Sequence, residues 1–487
     1  METQKKTFFG QPFGLATLFF TEMWERFSYY GMRAILLYYM YDEIANGGLG
    51  LSETTALAIM SVYGALVFMS SIVGGWIADR LLGSRQTVLY GGILIMFGHI
   101  VLGIPSGILT LFVSMILIII GTGMLKANVS SMVGNLYAEE DDRRDAGFSI
   151  FYMGINIGSL LAPVIIGTVG QKVNYHLGFG LAAVGMLLGL IVYVIQGKST
   201  LKSVGTKPSN PIKKGEGSKI VKSLLGFAVV VAIIFVWAGF AGRLDIDFFI
   251  NFTSVLGIGL PVYYFWRMLT SPDVSLEERK KVRAYIPLFL GSIIFWSLEE
   301  QGASILAVFA QNRTKDVFFG FHVPASWYQV LNPVFIVALT PFFVWLWTKM
   351  GKRQPSTVVK FSIGLVTAGL SFVMMMLPGI LYGTEGRVSP WWLIISFFIM
   401  IIGEMCLSPV GLSVTTKLAP RAFESQTLAI WLLADATSQV INAQIARFYT
   451  PATESAYFGV VGLVAVVAGI LLLFIRKPIQ ELMGNVK

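Results

Sequence analysis

Apolar runs of about 20 residues, the length that crosses roughly 30 Å of hydrocarbon, recur along nearly the whole chain. In water such runs could be covered only by one another, whereas in a bilayer each satisfies its backbone as a helix. Composition agrees: 55% of the 487 residues are hydrophobic and 13% charged, against about a quarter charged in soluble domains, and the mean hydropathy is +0.71. The reading is an all-α membrane protein.

The runs fall near Phe13–Tyr41, Thr54–Leu82, Thr87–Ile104, Leu109–Gly134, Ala146–Thr168 and Leu177–Ile195. A lysine-rich stretch with Pro208 and Pro211 follows, of a composition that does not pack a core. Two more runs, Ile220–Gly242 and Phe248–Met268, form a helical hairpin. Six others lie near Ala284–Phe309, Trp327–Trp347, Phe361–Leu381, Trp391–Thr415, Ala422–Phe448 and Ala456–Ile475. The predicted organisation is a six-helix bundle (1–196), a basic linker (197–219), an inserted hairpin with its own linker (220–283) and a second six-helix bundle (284–487). Fourteen transmembrane helices in this arrangement match the major facilitator fold, in which substrate binds at the midplane.

Lys and Arg concentrate in alternate loops: Arg80/Arg85, Arg143/Arg144, the linker, Arg279–Arg283, Lys349/Lys352/Arg353, Lys417/Arg421 and Arg476/Lys477. That bias puts both termini in the cytoplasm. Lys172, Arg243, Arg313, Lys315 and Arg387 run against it. The formal charge of +9 is therefore a topology signal and not a nucleic-acid surface. Lys5 and Lys6 precede an apolar stretch as in a signal peptide, but that stretch carries Glu22, Glu25 and Arg26, so it reads as a retained first helix. Cys406 has no second cysteine to pair with and reads as a packing residue.

A Glu or Arg at the bilayer centre costs roughly 2.5–3.5 kcal/mol on insertion scales, which makes each such residue a functional candidate. Positions 22, 25, 26, 29, 30 and 33 of the first run are Glu, Glu, Arg, Tyr, Tyr and Arg, spaced i, i+3, i+4, i+7, i+8 and i+11 on one helix face. Other runs supply Lys126, Glu299, Glu300, Glu404 and Asp435. Asn156 and Asn332 each offer a donor and an acceptor, suited either to a substrate amide or to holding helices together. Trp296 and Trp431 stand one turn before Glu300 and Asp435. A buried ion-pair network clipping helices together would use the same charges.

A phosphate-binding loop is excluded, because Val192 stands where its first glycine would precede Gly197-Lys198-Ser199. His99, His176 and His322 are scattered, no metal motif occurs, and no nucleophile stands beside a base. An enzyme is not expected, nor any cofactor.

Three segments carry a family resemblance. Glu22-x-x-Glu25-Arg26-Phe-x-Tyr29-Tyr30 resembles the helix 1 motif of the proton-dependent oligopeptide transporter family. Gly74-Gly75-x-x-Ala78-Asp79-Arg80-x-x-Gly83-x-Arg85 is similar to the major-facilitator loop motif, and the segment from Phe148 through Asn156 to Leu160 resembles the family signature. The resemblance implies a bacterial cytoplasmic-membrane symporter, working as a monomer, that imports di- and tripeptides with protons. It also implies roles. Arg26 and Lys126 would receive the peptide carboxylate, Glu404 the ammonium, and Asn156 and Asn332 the amide. Tyr29, Tyr30, Trp296 and Trp431 would line side-chain pockets, and Asp435, which departs from the small polar residue often found at that position, is expected to favour basic peptide side chains. A carboxylate in a partly dry site is protonated more easily and a nearby Arg or Lys reverses that shift, so Glu22, Glu25, Arg26, Arg33, Lys126, Glu299 and Glu300 are expected to couple protons to gating. A related cargo such as nitrate or a drug-like anion is the alternative within transport, because the fold is shared, but paired cation and anion sites favour a zwitterion.

Overall fold

The computed structural model describes residues 7–138, 141, 143–213 and 215–484. Lys5, Lys6 and Lys214 lie outside the described residues, as do the side chains of Lys219 and Lys352. The helices are α1 (Gly14–Tyr41), α2 (Glu53–Ile77), α3 (Ser84–Leu102), α4 (Ile108–Gly134), α5 (Arg144–Lys172), α6 (Tyr175–Thr200), α7 (Glu216–Phe240), α8 (Ile246–Thr270) and α9 (Leu276–Glu300). They continue with α10 (Ile305–Arg313), α11 (Leu331–Met350), α12 (Thr357–Met375), α13 (Leu377–Tyr382), α14 (Trp391–Leu418), α15 (Thr427–Ile445), α16 (Glu454–Phe474) and α17 (Arg476–Met483). Among the described residues, paired strands are confined to two short hairpins, at Thr7–Pro12 and Val317–His322.

Among the described residues, twelve helical segments are long and apolar enough to cross a membrane. The chain is a multi-pass membrane protein. Neither α1 nor α15 is among the twelve: α1 carries Glu22, Glu25, Arg26 and Arg33, and α15 carries Asp435, Ser438, Gln439 and Asn442. Polar groups on one face lower the mean hydropathy of these two helices, whereas α4, α9 and α14 stay among the twelve although they carry Lys126, Glu299, Glu300 and Glu404.

Compact units do not follow chain order. One unit comprises 1–29, 69–158 and 179–255, the other 30–68, 159–178 and 256–487. Thus α1, α2, α5 and α8 are each divided, and one end of each of α1, α2 and α5 belongs with the C-terminal spans.

Within the first unit, α3 and α4 touch through glycine. A Cβ on Gly91 would stand 2.7 Å from the Gly121 carbonyl oxygen, and one on Gly121 2.6 Å from that of Gly91. In the second unit Gly369 of α12 and Gly462 of α16 repeat the arrangement, at 2.5 and 2.6 Å. Small residues let backbones approach in lipid, where no hydrophobic force joins helices. Gly369→Leu is therefore expected to cost about 1–3 kcal/mol or more, read as a lowered thermal midpoint in detergent. An unchanged midpoint would show that the contact is not needed.

Two features go beyond the sequence reading. The basic linker makes contacts with the first unit: Leu201 is fully buried in that unit's core, and Arg85 donates to the carbonyls of Gly197 and Lys202 at 2.8 and 2.7 Å. Asp79 accepts from the Ser209 hydroxyl at 2.8 Å. The loop motif's charged residues thus clasp the linker. The expected run Ala284–Phe309 is also interrupted. After Glu300 a 3₁₀ turn at Gln301–Ala303 and a non-helical Ser304 (φ −127°, ψ −87°) separate α9 from α10. The side chain of Gln301 donates to the Ser297 carbonyl and accepts from the Tyr457 hydroxyl, so polar partners hold the break.

Candidate functional site

The predicted site residues fall into two groups, one in each unit. In the first, the stripe on α1 is buried: Glu22, Glu25 and Arg26 are 2%, 0% and 3% exposed. Arg26 Nε stands 2.8 Å from Glu22 Oε1 and 2.8 Å from Glu25 Oε2. One guanidinium therefore serves two carboxylates. Arg26 donates a hydrogen bond to Glu22, whereas its contact with Glu25 is an ion pair alone: among the described residues Glu22 Oε2 and both Glu25 oxygens find no hydrogen-bond partner, although they sit where unmade bonds are costly. The Arg26 guanidinium also lies 5.8 Å from the Tyr29 ring centroid, within cation–π range.

Gly158 explains how α5 fits beside this triad. A Cβ there would stand 2.3 Å from the Met23 carbonyl oxygen and 3.0 Å from Arg26 Cβ. The signature segment on α5 thereby abuts the charged face of α1. Asn156, two residues earlier, is buried and its amide donates to the Tyr152 carbonyl at 2.8 Å. Lys126 of α4 is half-buried.

The second group gathers Tyr30, Arg33, Trp296, Glu299, Glu300, Asn332, Glu404, Trp431 and Asp435. Arg33 forms an ion pair with Glu300, and Gln439 of α15 also donates to that carboxylate. Asn332 donates to Glu299 Oε1 at 2.8 Å, so here the amide meets an acid. Glu404 and Asp435 are buried at 8% and 7% exposure. Glu404 Oε2 lacks a hydrogen-bond partner among the described residues, as does the Trp296 indole nitrogen. Trp296 and Trp431 pack edge to face with centroids 6.4 Å apart. Gly411 gives Trp431 its place, since a Cβ there would stand 2.1 Å from the indole.

The sequence reading missed residues on α15. Gln439 reaches Glu300, and Asn442 accepts from Ser297 at 2.6 Å and from Gln301 at 3.2 Å. Positions 435, 438, 439 and 442 repeat the i, i+3, i+4, i+7 spacing seen on α1, a signal present in the sequence but carried mostly by uncharged groups.

Near the ends of α1, α2 and α5 that belong to this unit, further polar contacts reach the C-terminal spans. Asn312 donates to Glu53 at 2.9 Å, the Tyr38 hydroxyl to the Ala307 carbonyl at 3.1 Å, and the Trp327 indole to Thr168 at 2.8 Å. Arg313, one of the exceptions to the charge bias, is buried and lies 3.0 Å from Glu454. Its charge is spent on an internal pair.

Residues 85–464 match the sequence profile of the POT family. The chain belongs to that family. It is a transporter, not an enzyme. It is 53% identical to a di-/tripeptide transporter of Lactococcus lactis subsp. cremoris, covering 99% of each chain. It is 55% identical to the uncharacterized transporter YclF of Bacillus subtilis (strain 168), covering 99% of this chain and 97% of that one. The crystal structure of the peptide transporter POT in complex with sulfate superimposes with a TM-score of 0.95 at 56% identity, over 98% of this chain and 97% of that one. The POT family's fold is thus the fold of this chain.

Proposed function

We propose that this POT family member is a proton-coupled symporter that imports di- and tripeptides by alternating access. It has fourteen membrane helices, with α7 and α8 inserted between two six-helix bundles, and lies in the bacterial cytoplasmic membrane with both termini inside. It works as a monomer. Arg26 and Lys126 hold the peptide carboxylate, Glu404 the ammonium, and Asn156 and Asn332 the amide. Tyr29, Tyr30, Trp296, Trp431 and Asp435 shape the side-chain pockets. Short peptides of one length carry opposite charges a similar distance apart, so clamping the ends accepts many sequences.

The observation that carries this reading is the sharing of Arg26 by two buried acids. An arriving peptide carboxylate competes for that guanidinium. Whichever of Glu22 and Glu25 loses it is left as an uncompensated buried charge, which is costly, and takes up a proton instead. Protonation of Glu300 in turn releases Arg33 and loosens the contacts that join α1 to the C-terminal spans. One proton moving down one pH unit and 100 mV releases about 1.4 plus 2.3 kcal/mol, a several-hundred-fold gradient for a neutral peptide.

The test is uptake of a labelled dipeptide by proteoliposomes under an imposed pH gradient. Accumulation is expected and a protonophore should remove it. Accumulation that persists with the protonophore would overturn the coupling.

Asp435 gives the pocket an acid for basic peptide side chains. Lysine-containing dipeptides are expected to compete with labelled dialanine better than aspartate-containing ones, by about tenfold for one favourable charge contact. Asp435→Asn should erase that difference. Equal competition in the unaltered protein would remove this assignment.

A further inference from the structure

At the end of the C-terminal spans where Lys349 and Lys417 lie, a cavity of about 960 Å³ opens between the start of α12, the end of α14 and α17. Its volume is at the upper end for small-molecule sites. The lining is uncharged or cationic: Lys360 and Lys417 with Gln354, Ser356, Thr357, Ser413 and Gln480 are its polar members, and among the described residues no Asp or Glu takes part. Glu481 of α17 is not in the wall.

Lys360 is the unusual member. Its side chain is buried, at 8% exposure, yet among the described residues no carboxylate pairs with it. Its ammonium donates to Gln354 Oε1 at 2.8 Å and lies 4.3 Å from the Trp347 ring centroid. Gln354 is itself fixed by donating to the Trp347 carbonyl at 2.7 Å. These contacts hold the ammonium in place without neutralising it, and a buried ammonium lacking a counter-charge is costly. The Ser356 hydroxyl, at the cap of α12, is buried without a hydrogen-bond partner among the described residues. It caps no amide, so the first turn of α12 keeps unsatisfied N–H donors beside the same cavity. Lys417 is exposed and adds a second cation.

We propose that this cavity binds the phosphate of an anionic headgroup, with buried Lys360 and exposed Lys417 as its two cations. The residues are separate from those assigned to transport. Such a phosphate could come from an anionic phospholipid or from free phosphate, and α17 closing one side, with Ile479 and Met483 buried beneath it, leaves room for more than a bare ion.

The test follows the thermal midpoint of the full chain in neutral detergent. It compares additions of short-chain phosphatidylglycerol, phosphatidylcholine, and sodium phosphate against sodium chloride of equal ionic strength. Phosphatidylglycerol is expected to raise the midpoint by several degrees where phosphatidylcholine does not. Lys417→Glu, a change at an exposed side chain, should weaken half-saturation by roughly tenfold or more, and Lys360→Gln should do the same. A rise with sodium phosphate as well assigns the site to free phosphate, and a rise with the lipid alone assigns it to a phospholipid. No rise with either, or an equal response in Lys417→Glu, would overturn the proposal.

Discussion

Glu300→Gln is expected to abolish accumulation of a labelled dipeptide under a pH gradient while leaving counterflow exchange in place. Glutamine keeps the shape of the side chain and its hydrogen bonds to Arg33 and Gln439, but it neither ionises nor carries a coupled proton. The Arg33–Glu300 ion pair joins α1 to α9 within one compact unit, so its making and breaking is a discrete event that a proton can control. Glu22→Gln and Glu25→Gln are expected to act alike at the other group, where one of the two acids must yield Arg26 to substrate. In each case the attainable concentration ratio falls from several-hundred-fold towards unity, the whole of the roughly 3.7 kcal/mol that one proton supplies at one pH unit and 100 mV. Uptake assays measure the ratio, and preloaded vesicles measure the exchange. Full gradient-driven accumulation in all three variants would sink the coupling scheme.

The charged face of α1 was legible because four ionisable residues in an apolar run have no inexpensive place in lipid. The same physics hid α15. Its stripe at Asp435, Ser438, Gln439 and Asn442 holds a single charge, and amides and hydroxyls raise little alarm among Leu, Ala and Val. The interruption after Glu300 was hidden for another reason: Gln301, Gly302, Ala303 and Ser304 lie between apolar segments, so a running hydropathy passes over them. The linker shows what composition leaves out. Its composition argues correctly against an independent core, but Leu201 enters a core already built by α1, α3, α4 and α6, and Asp79 and Arg85 satisfy its backbone and hydroxyls. Contacts of that kind join distant parts of the chain, and no local pattern reports them.

Arg26→Ala is expected to be the most damaging single change in the first group, and its damage can be separated into two parts. Removing the guanidinium leaves Glu22 and Glu25 buried beside one another, and breaking a buried pair costs about 3–5 kcal/mol because the survivor is uncompensated. The thermal midpoint should therefore drop and peptide uptake should vanish. Restoring neutrality in the triple variant Arg26→Ala/Glu22→Gln/Glu25→Gln should recover most of the midpoint, since the three residues form one network and their effects do not add. Uptake should stay absent, because the cation offered to the peptide carboxylate is still missing. Arg26→Lys tests geometry: an ammonium keeps the charge but lacks the planar fork that reaches two carboxylates together, so stability should largely hold while peptide affinity weakens. If Arg26→Ala were as stable as the unaltered chain and still accumulated dipeptide, Arg26 would be neither the counter-ion of the two acids nor the ligand of the substrate.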